Sequence, residues 1–205
     1  MPNAGASDPD IRTISSSLVY EDAWMVLHRD EIERRDGSRG SYAVVDKPDF
    51  AVVIPADGDR FCLVEEYRYP IGRRCWAFPQ GAFPGRGSGD PEQLARLELV
   101  QETGLSARTL TDLGFLHSSH GLTSQGFHAF LATGLTAGPP QREAEEQDMR
   151  HEWVSRAGFR AMIRDGLITD DSTVAAFTLL LLHESSTAER LATGPQATGP
   201  QATGI

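Results

Sequence analysis

The sequence predicts an α+β domain built on a mixed sheet. Three observations carry this: a run of short Val-, Leu-, Ile-, Tyr- and Phe-rich segments between residues 17 and 67, one helix with marked ends near residue 91, and a later alternation of strand-like and helix-like segments up to residue 184. In the first run, Ser17 to His28, Ser41 to Asp46, Phe50 to Pro55 and Phe61 to Tyr67 read as strands. Asp36-Gly37, Lys47-Pro48 and Asp57-Gly58 supply the turns between them. Pro91 to Thr103 reads as a helix with Asp90 as N-cap, Pro91 at the first helical position and Gly104 as the stop. Leu113 to His117, Phe127 to Ala132 and Glu152 to Val154 follow as strands, and Ser155 to Asp165 and Asp171 to Glu184 as helices.

With 40% hydrophobic and 23% charged residues over 205 positions, the chain has the composition of a globular protein and the length for one good-sized core. We divide it into a loose leader (1–16), one domain (17–187) and a tail (188–205). The tail reads ATGPQ-ATGPQ-ATG from Ala192, and Pro and Gly in each full copy keep it from building a core.

A net charge of -10 argues against a protein that grips nucleic acid, because that mode needs clustered Lys and Arg to neutralise phosphates. Small molecules or proteins are the expected partners, with no nucleic acid and no membrane. A phosphorylated substrate stays compatible with acidity if a divalent cation and a few local arginines screen it. Cys62 and Cys75 form no CxxC or Cys/His array, so they are read as reduced thiols. The longest apolar run, Ala175 to Leu182, is too short to span a bilayer, and no amino-terminal stretch resembles a signal peptide. A cytoplasmic location is the expectation.

The helix at 91–103 carries the feature with most chemistry. Glu98 and Glu102 stand four residues apart, on one helix face, where two like charges disfavour each other unless a cation or another partner lies between them. Hard carboxylate oxygens suit Mg²⁺ or Mn²⁺. A solvated face with two acids is the bland alternative, and the surrounding sequence decides between them.

That surrounding stretch, Gly81 to Leu105, resembles the box of the Nudix hydrolase superfamily, G-x5-E-x7-R-E-U-x-E-E-x-G-U with U aliphatic. Its ending, Glu98-Leu99-Val100-Gln101-Glu102-Thr103-Gly104-Leu105, carries most of the likeness. The segments Val19 to Trp24, Glu66 to Pro70, Trp76 to Gly81 and Phe127 to Ala132 look like landmarks of the branch that hydrolyses ADP-ribose and nucleoside-diphosphate sugars. The likeness spans roughly residues 17 to 185.

The resemblance implies a Nudix fold, a mixed sheet sandwiched between helices with an amino-terminal antiparallel strand region. It implies a pyrophosphatase that uses Mg²⁺ (or Mn²⁺) held by Glu98, Glu102 and an oxygen of Gln80. It implies that Arg68 contacts phosphate, while Trp24 and Tyr67 are candidates to stack on a base. It places a catalytic base in an acidic loop after the box, where Glu145 and Glu146 are the candidates among Glu143, Glu145, Glu146 and Asp148. It further implies a homodimer, with Ser17 to Asp46 as the candidate interface.

Departures from the pattern are specific. From Gly81 to the arginine position is sixteen steps where the family has fourteen, so the loop is two residues longer and rich in glycine. Gly89 stands at the first box glutamate, Leu97 at the arginine and Gln101 at the first glutamate of the E-E pair. A leucine at position 97 is expected to pack without burying a charge. Ser118-Ser119-His120-Gly121 puts a histidine where ADP-ribose enzymes of the branch carry proline, and His117, His120 and His128 are assigned no ligand role. Two function classes follow: a diphosphate hydrolase, or a weakly active or inactive Nudix-fold nucleotide-binding module. Loss of the box charges favours the second, and retention of Glu98 and Glu102 the first.

Overall fold

The computed structural model describes residues 10–142 and 148–193. The chain opens with β1 (Ile11–Glu21), β2 (Val26–Arg34) and β3 (Arg39–Asp46), an antiparallel three-stranded sheet. The stretch read as one strand from Ser17 to His28 is therefore two. Between them the Asp22 carboxylate accepts from the backbone N–H groups of Trp24 (2.7 Å) and Met25 (2.8 Å), a turn made by a side chain without glycine or proline. β1 also begins at Ile11, inside the stretch assigned to the leader. Gly37, with φ of +80°, makes the following turn as its Asp-Gly dipeptide requires.

The main sheet contains β4 (Phe50–Asp57), β5 (Arg60–Arg68), β6 (Arg73–Ala77), β7 (Gln80–Ala82), β8 (Leu105–His117), β9 (Gly126–Ala137) and β10 (Arg150–Ser155). Its order is β10-β5-β4-β9-β8, with β6 paired to β5 and β7 to β4. Only β4 with β9 is parallel among the paired strands of this sheet, so the sheet is mixed.

Helices cover both faces, and strand alternation sorts the core between them. Ala51 and Val53 of β4, with Cys62 of β5, pack against Leu94, Ala95 and Leu99 of α1 (Pro91–Thr103). Val52 and Ile54, with Phe61 and Leu63, pack against Phe159 of α2 (Arg156–Arg164) and Ala176, Phe177 and Leu180 of α3 (Asp171–Thr193). Phe61, Phe78, Phe159 and Phe177 form an aromatic cluster on that side, with ring centroids 4.8–6.0 Å apart. The fold is thus the expected α+β sandwich.

α3 runs past the drawn end of the domain at residue 187. No helix among the described residues is long and apolar enough to cross a membrane. Cys62 and Cys75 are both buried free thiols, and burial pushes the Cys62 thiol up to about 12.

Candidate active site

The site is assembled where β7 passes over α1. Asp90 caps that helix by accepting from the Glu92 N–H (3.1 Å), Pro91 occupies its first turn, and Gly104 closes it in the left-handed region at φ of +74°. These fixed ends set the helix register. Leu94, Ala95, Glu98, Leu99 and Glu102 face inward, while Leu97 points away and is 41% exposed. The expectation that Leu97 packs is corrected: its position lies outside the inward-facing stripe, and no charge is buried there.

Glu98 and Glu102 are both buried. β7 comes down directly on them. A Cβ placed on Gly81 would stand 2.5 Å from Cδ and Oε2 of Glu98, so only a glycine permits this approach. One residue earlier, the backbone N–H of Gln80 donates to Oε2 of Glu102 (3.2 Å). The donor atoms gathered at this point are hard oxygens, the set that a small divalent cation prefers. No group of three His, Cys, Asp or Glu side chains suited to a metal occurs among the described residues. Completion of such a shell from these residues therefore calls on a backbone or amide oxygen of the kind Gln80 supplies.

On the other side of Gln80 and Gly81, whose backbone covers the two carboxylates, opens a cleft of about 520 Å³, in the range of small-molecule sites; neither carboxylate lines it. Gln80 and Gly81 lie on its wall, with Trp24 and Arg68 at other points of the lining. Trp24 is 61% exposed and held in place by the Asp22 turn. The Arg68 guanidinium pairs with Glu66 at 2.7 Å, two residues away on the same strand face. Tyr67 lies between them in sequence, so it points to the opposite face, and it does not line the cleft. Glu145 and Glu146 fall outside the described residues. The segment that carries them is flanked by described anchors: Gln141 N–H donates to the Gln101 carbonyl (3.0 Å), and Arg74 donates to both the side chain and the carbonyl of Asp148.

Sequence reasoning missed several cleft residues. Arg86 sits in the lengthened loop with φ of +59°, a conformation uncommon for a residue with a side chain, and pairs with Glu21 of β1 at 2.6 Å. It lines the cleft opposite the α3 end, where Asp170, Asp171 and Ser172 also contribute. Ser172 Oγ lies 2.7 Å from both Oε1 of Gln80 and Oδ2 of Asp170. One hydroxyl proton cannot serve two acceptors. Turning the Gln80 amide so that its nitrogen donates to Ser172 satisfies all three groups and frees its oxygen for the cleft. The signals were present in the sequence: Arg86 is the one cation in the Gly-rich loop, and Asp170-Asp171-Ser172 precedes an apolar helical run as a capping segment does.

The chain is similar to known proteins along most of its length. Residues 11–45, the span of the amino-terminal sheet, match the family described as the nucleoside diphosphate sugar hydrolase N-terminal domain. The chain is 25% identical over 181 residues to an ADP-ribose pyrophosphatase of Bacillus subtilis, covering 87% of this chain and 97% of that protein. The chain is thus similar to an ADP-ribose pyrophosphatase over nearly its whole length and to nucleoside diphosphate sugar hydrolases over its amino-terminal sheet. A methanol dehydrogenase activator of Bacillus methanolicus is also 25% identical, over 177 residues, covering 85% of this chain and 94% of that one. Among solved structures, one described as an ADP compounds hydrolase superposes with a TM-score of 0.76 at 19% identity, covering 90% of this chain and 98% of that one, which establishes the shared fold. In the stretch Gly81 to Leu105, which resembles the Nudix box, Glu98 and Glu102 are the buried acidic pair.

Proposed function

We propose that this chain is a Nudix hydrolase that cleaves the diphosphate of a nucleoside diphosphate joined to a second moiety, of the ADP-ribose or nucleotide-sugar type, into two monophosphates. The observation that carries the reading is the burial of Glu98 and Glu102 against Gly81 and Gln80, two residues that line a cleft together with Arg68 and Arg86. Glu98, Glu102 and an oxygen of Gln80 would hold Mg²⁺, for which Mn²⁺ can substitute. Bound there, the cation supplies neutralisation of the phosphate charge and polarisation of the phosphoryl oxygens.

The chain's own groups account for the rest. Arg68 and Arg86 bind and orient the diphosphate, and their charge stabilises what builds up on its oxygens as the bridging bond lengthens. A carboxylate from the downstream acidic loop, Glu145 or Glu146, accepts a proton from water. The water oxygen bonds to one phosphorus as the bridging oxygen leaves on the other phosphate. Trp24 stacks on the base. Two copies pair through the amino-terminal sheet, whose β1 exposes Leu18, Val19 and Tyr20, and the enzyme works in the cytoplasm.

The test is chromatographic detection of AMP from ADP-ribose, and of the matching nucleoside monophosphate from nucleotide sugars, with Mg²⁺ or Mn²⁺, for the wild type and Glu102→Gln. Absence of turnover across the panel would favour the second reading, a nucleotide-binding module. What speaks for that reading is the replacement of three charged box positions by Gly89, Leu97 and Gln101.

A further inference from the structure

Lys47 is the single lysine of a sequence that otherwise uses eighteen arginines, and it is a third cation on the cleft wall with Arg68 and Arg86. Those two arginines have carboxylate partners, Glu66 at 2.7 Å and Glu21 at 2.6 Å. Lys47 has none among the described residues. A further cavity of about 410 Å³ adjoins the cleft: Lys47, Pro48 and Arg86 line both, and Val26, Asp46 and Gly85 complete its wall. The Asp46 carboxylate is already engaged, by Ser124 Oγ (3.2 Å) and by His28 Nε2 (2.9 Å).

The backbone under Lys47 is braced on both sides. Val45 N–H donates to the Leu122 carbonyl (3.0 Å), and the Pro48 carbonyl accepts from Gln125 Nε2 (2.6 Å). Asp49 accepts from Gly126 N–H (2.7 Å). A cation on a fixed stretch of chain, facing two connected cavities without a carboxylate to neutralise it, suits an anionic ligand.

We propose that Lys47 and Arg86 form a subsite for a phosphomonoester, so that the chain takes a nucleoside diphosphate whose nucleoside ribose carries a further phosphate. The proposal rests on the reading that the cleft takes a nucleoside diphosphate with its base on Trp24. Val26, in the cavity wall, is two residues from Trp24 and the register partner of Asp46, which places the subsite on the nucleoside arm. Two arginines match the charge of a diphosphate. A monoester brings roughly −1.5 to −2 more at pH 7, which calls for the third cation.

Calorimetry on the full chain, with a metal chelator, compares ADP-ribose with the same molecule phosphorylated on the 2′-hydroxyl of its adenosine. The wild type is expected to bind the phosphorylated form about tenfold more tightly. Lys47→Gln should lose most of that preference and Lys47→Arg keep it. Equal affinities in the wild type, or a preference undiminished in Lys47→Gln, overturn the subsite. If neither nucleotide binds, pyridoxal 5′-phosphate decides. Its aldehyde condenses with the Lys47 amine, releasing water, and borohydride reduces the imine to a stable amine that peptide mapping locates. Protection of Lys47 by orthophosphate, with the α-amino group labelled as before, would then sink the nucleotide reading of the cleft and leave the phosphate subsite standing. Labelling of Lys47 that orthophosphate does not suppress would overturn the subsite.

Discussion

Gly81 rests on the carboxylate of Glu98, so closely that a single methyl group at residue 81 would stand 2.5 Å from Oε2. The first position of the box is thereby tied to its first surviving acid. Gly81→Ala is expected to leave the fold intact, because the clash falls on the end of a side chain, yet to displace that carboxylate. A displacement of this size costs about a hundredfold in kcat/KM. Steady-state kinetics beside a melting curve checks it: an active variant would separate Glu98 from the chemistry.

Gly104 is constrained differently. Its φ is +74°, and a Cβ would meet the Gly138 carbonyl at 2.2 Å and the Pro139 backbone at 2.8 Å. Main chain cannot yield as a side chain does. Gly104→Ala is expected to destabilise by about 2–3 kcal/mol, read as a lowered midpoint in urea unfolding. An unchanged midpoint would contradict the packing of the 138–140 segment on the helix end.

The contrast between these glycines marks how far the sequence could be read. α1 was legible to the residue because its punctuation is local: Asp90, Pro91 and Gly104 act on their own neighbours. The turn between β1 and β2 was not, since it depends on the Asp22 side chain. β8 was read only from Leu113 although it starts at Leu105, because Ser106, Arg108 and Thr109 are polar residues on its exposed positions. Glu98 and Glu102 were legible from their spacing together with the box-like stretch around them. Arg86 and Ser172 were not, because nothing local states that loops some 86 residues apart meet across Gln80.

β1 exposes Leu18, Val19 and Tyr20 by 63%, 58% and 50%. Three exposed apolar side chains in a row on the edge strand of this sheet are what an interface supplies. Val19→Asp is expected to convert a dimer to a monomer in sedimentation velocity, at protein concentrations of roughly 10 µM, where a standard-sized interface is populated. Sedimentation of the wild type as a monomer would remove the proposed interface.

Glu65 is buried between two guanidinium groups, Arg150 (2.7 and 3.0 Å) and Arg74 (2.6 Å). Arg150 foremost, then Arg74, holds its carboxyl below the usual range, against the opposing effect of burial. A depressed folded value means stability that is fully present above the ordinary carboxylate pKa and is lost as pH falls through the folded one. Glu65→Gln should cost about 1–2 kcal/mol at pH 7, less than for a sealed pair because both arginines are partly exposed. Its melting temperature should also fall less steeply than the wild type's on acidification. Parallel curves would refute the ion-pair account.

His28 works in the opposite direction. Its Nδ1 lies 3.0 Å from Asp30 and 3.2 Å from Ser16 Oγ, and its Nε2 lies 2.9 Å from Asp46, so one imidazole joins all three strands of the amino-terminal sheet. Asp30 first, and Asp46 after it, raise its pKa despite partial desolvation. A raised folded value contributes stability below the ordinary histidine pKa, and that contribution disappears as pH rises through the folded one. Asp46 also accepts from Ser124, on the loop whose Ser118, Ser119 and Gln125 line the cleft, so the loss should reach substrate binding as a higher KM with little change in kcat. His28→Gln is expected to abolish the rise in KM as pH climbs above the ordinary histidine pKa and through the raised folded one, while leaving the profile at lower pH shifted upward throughout. A wild-type KM that stays flat across that window would dissociate the histidine from the cleft.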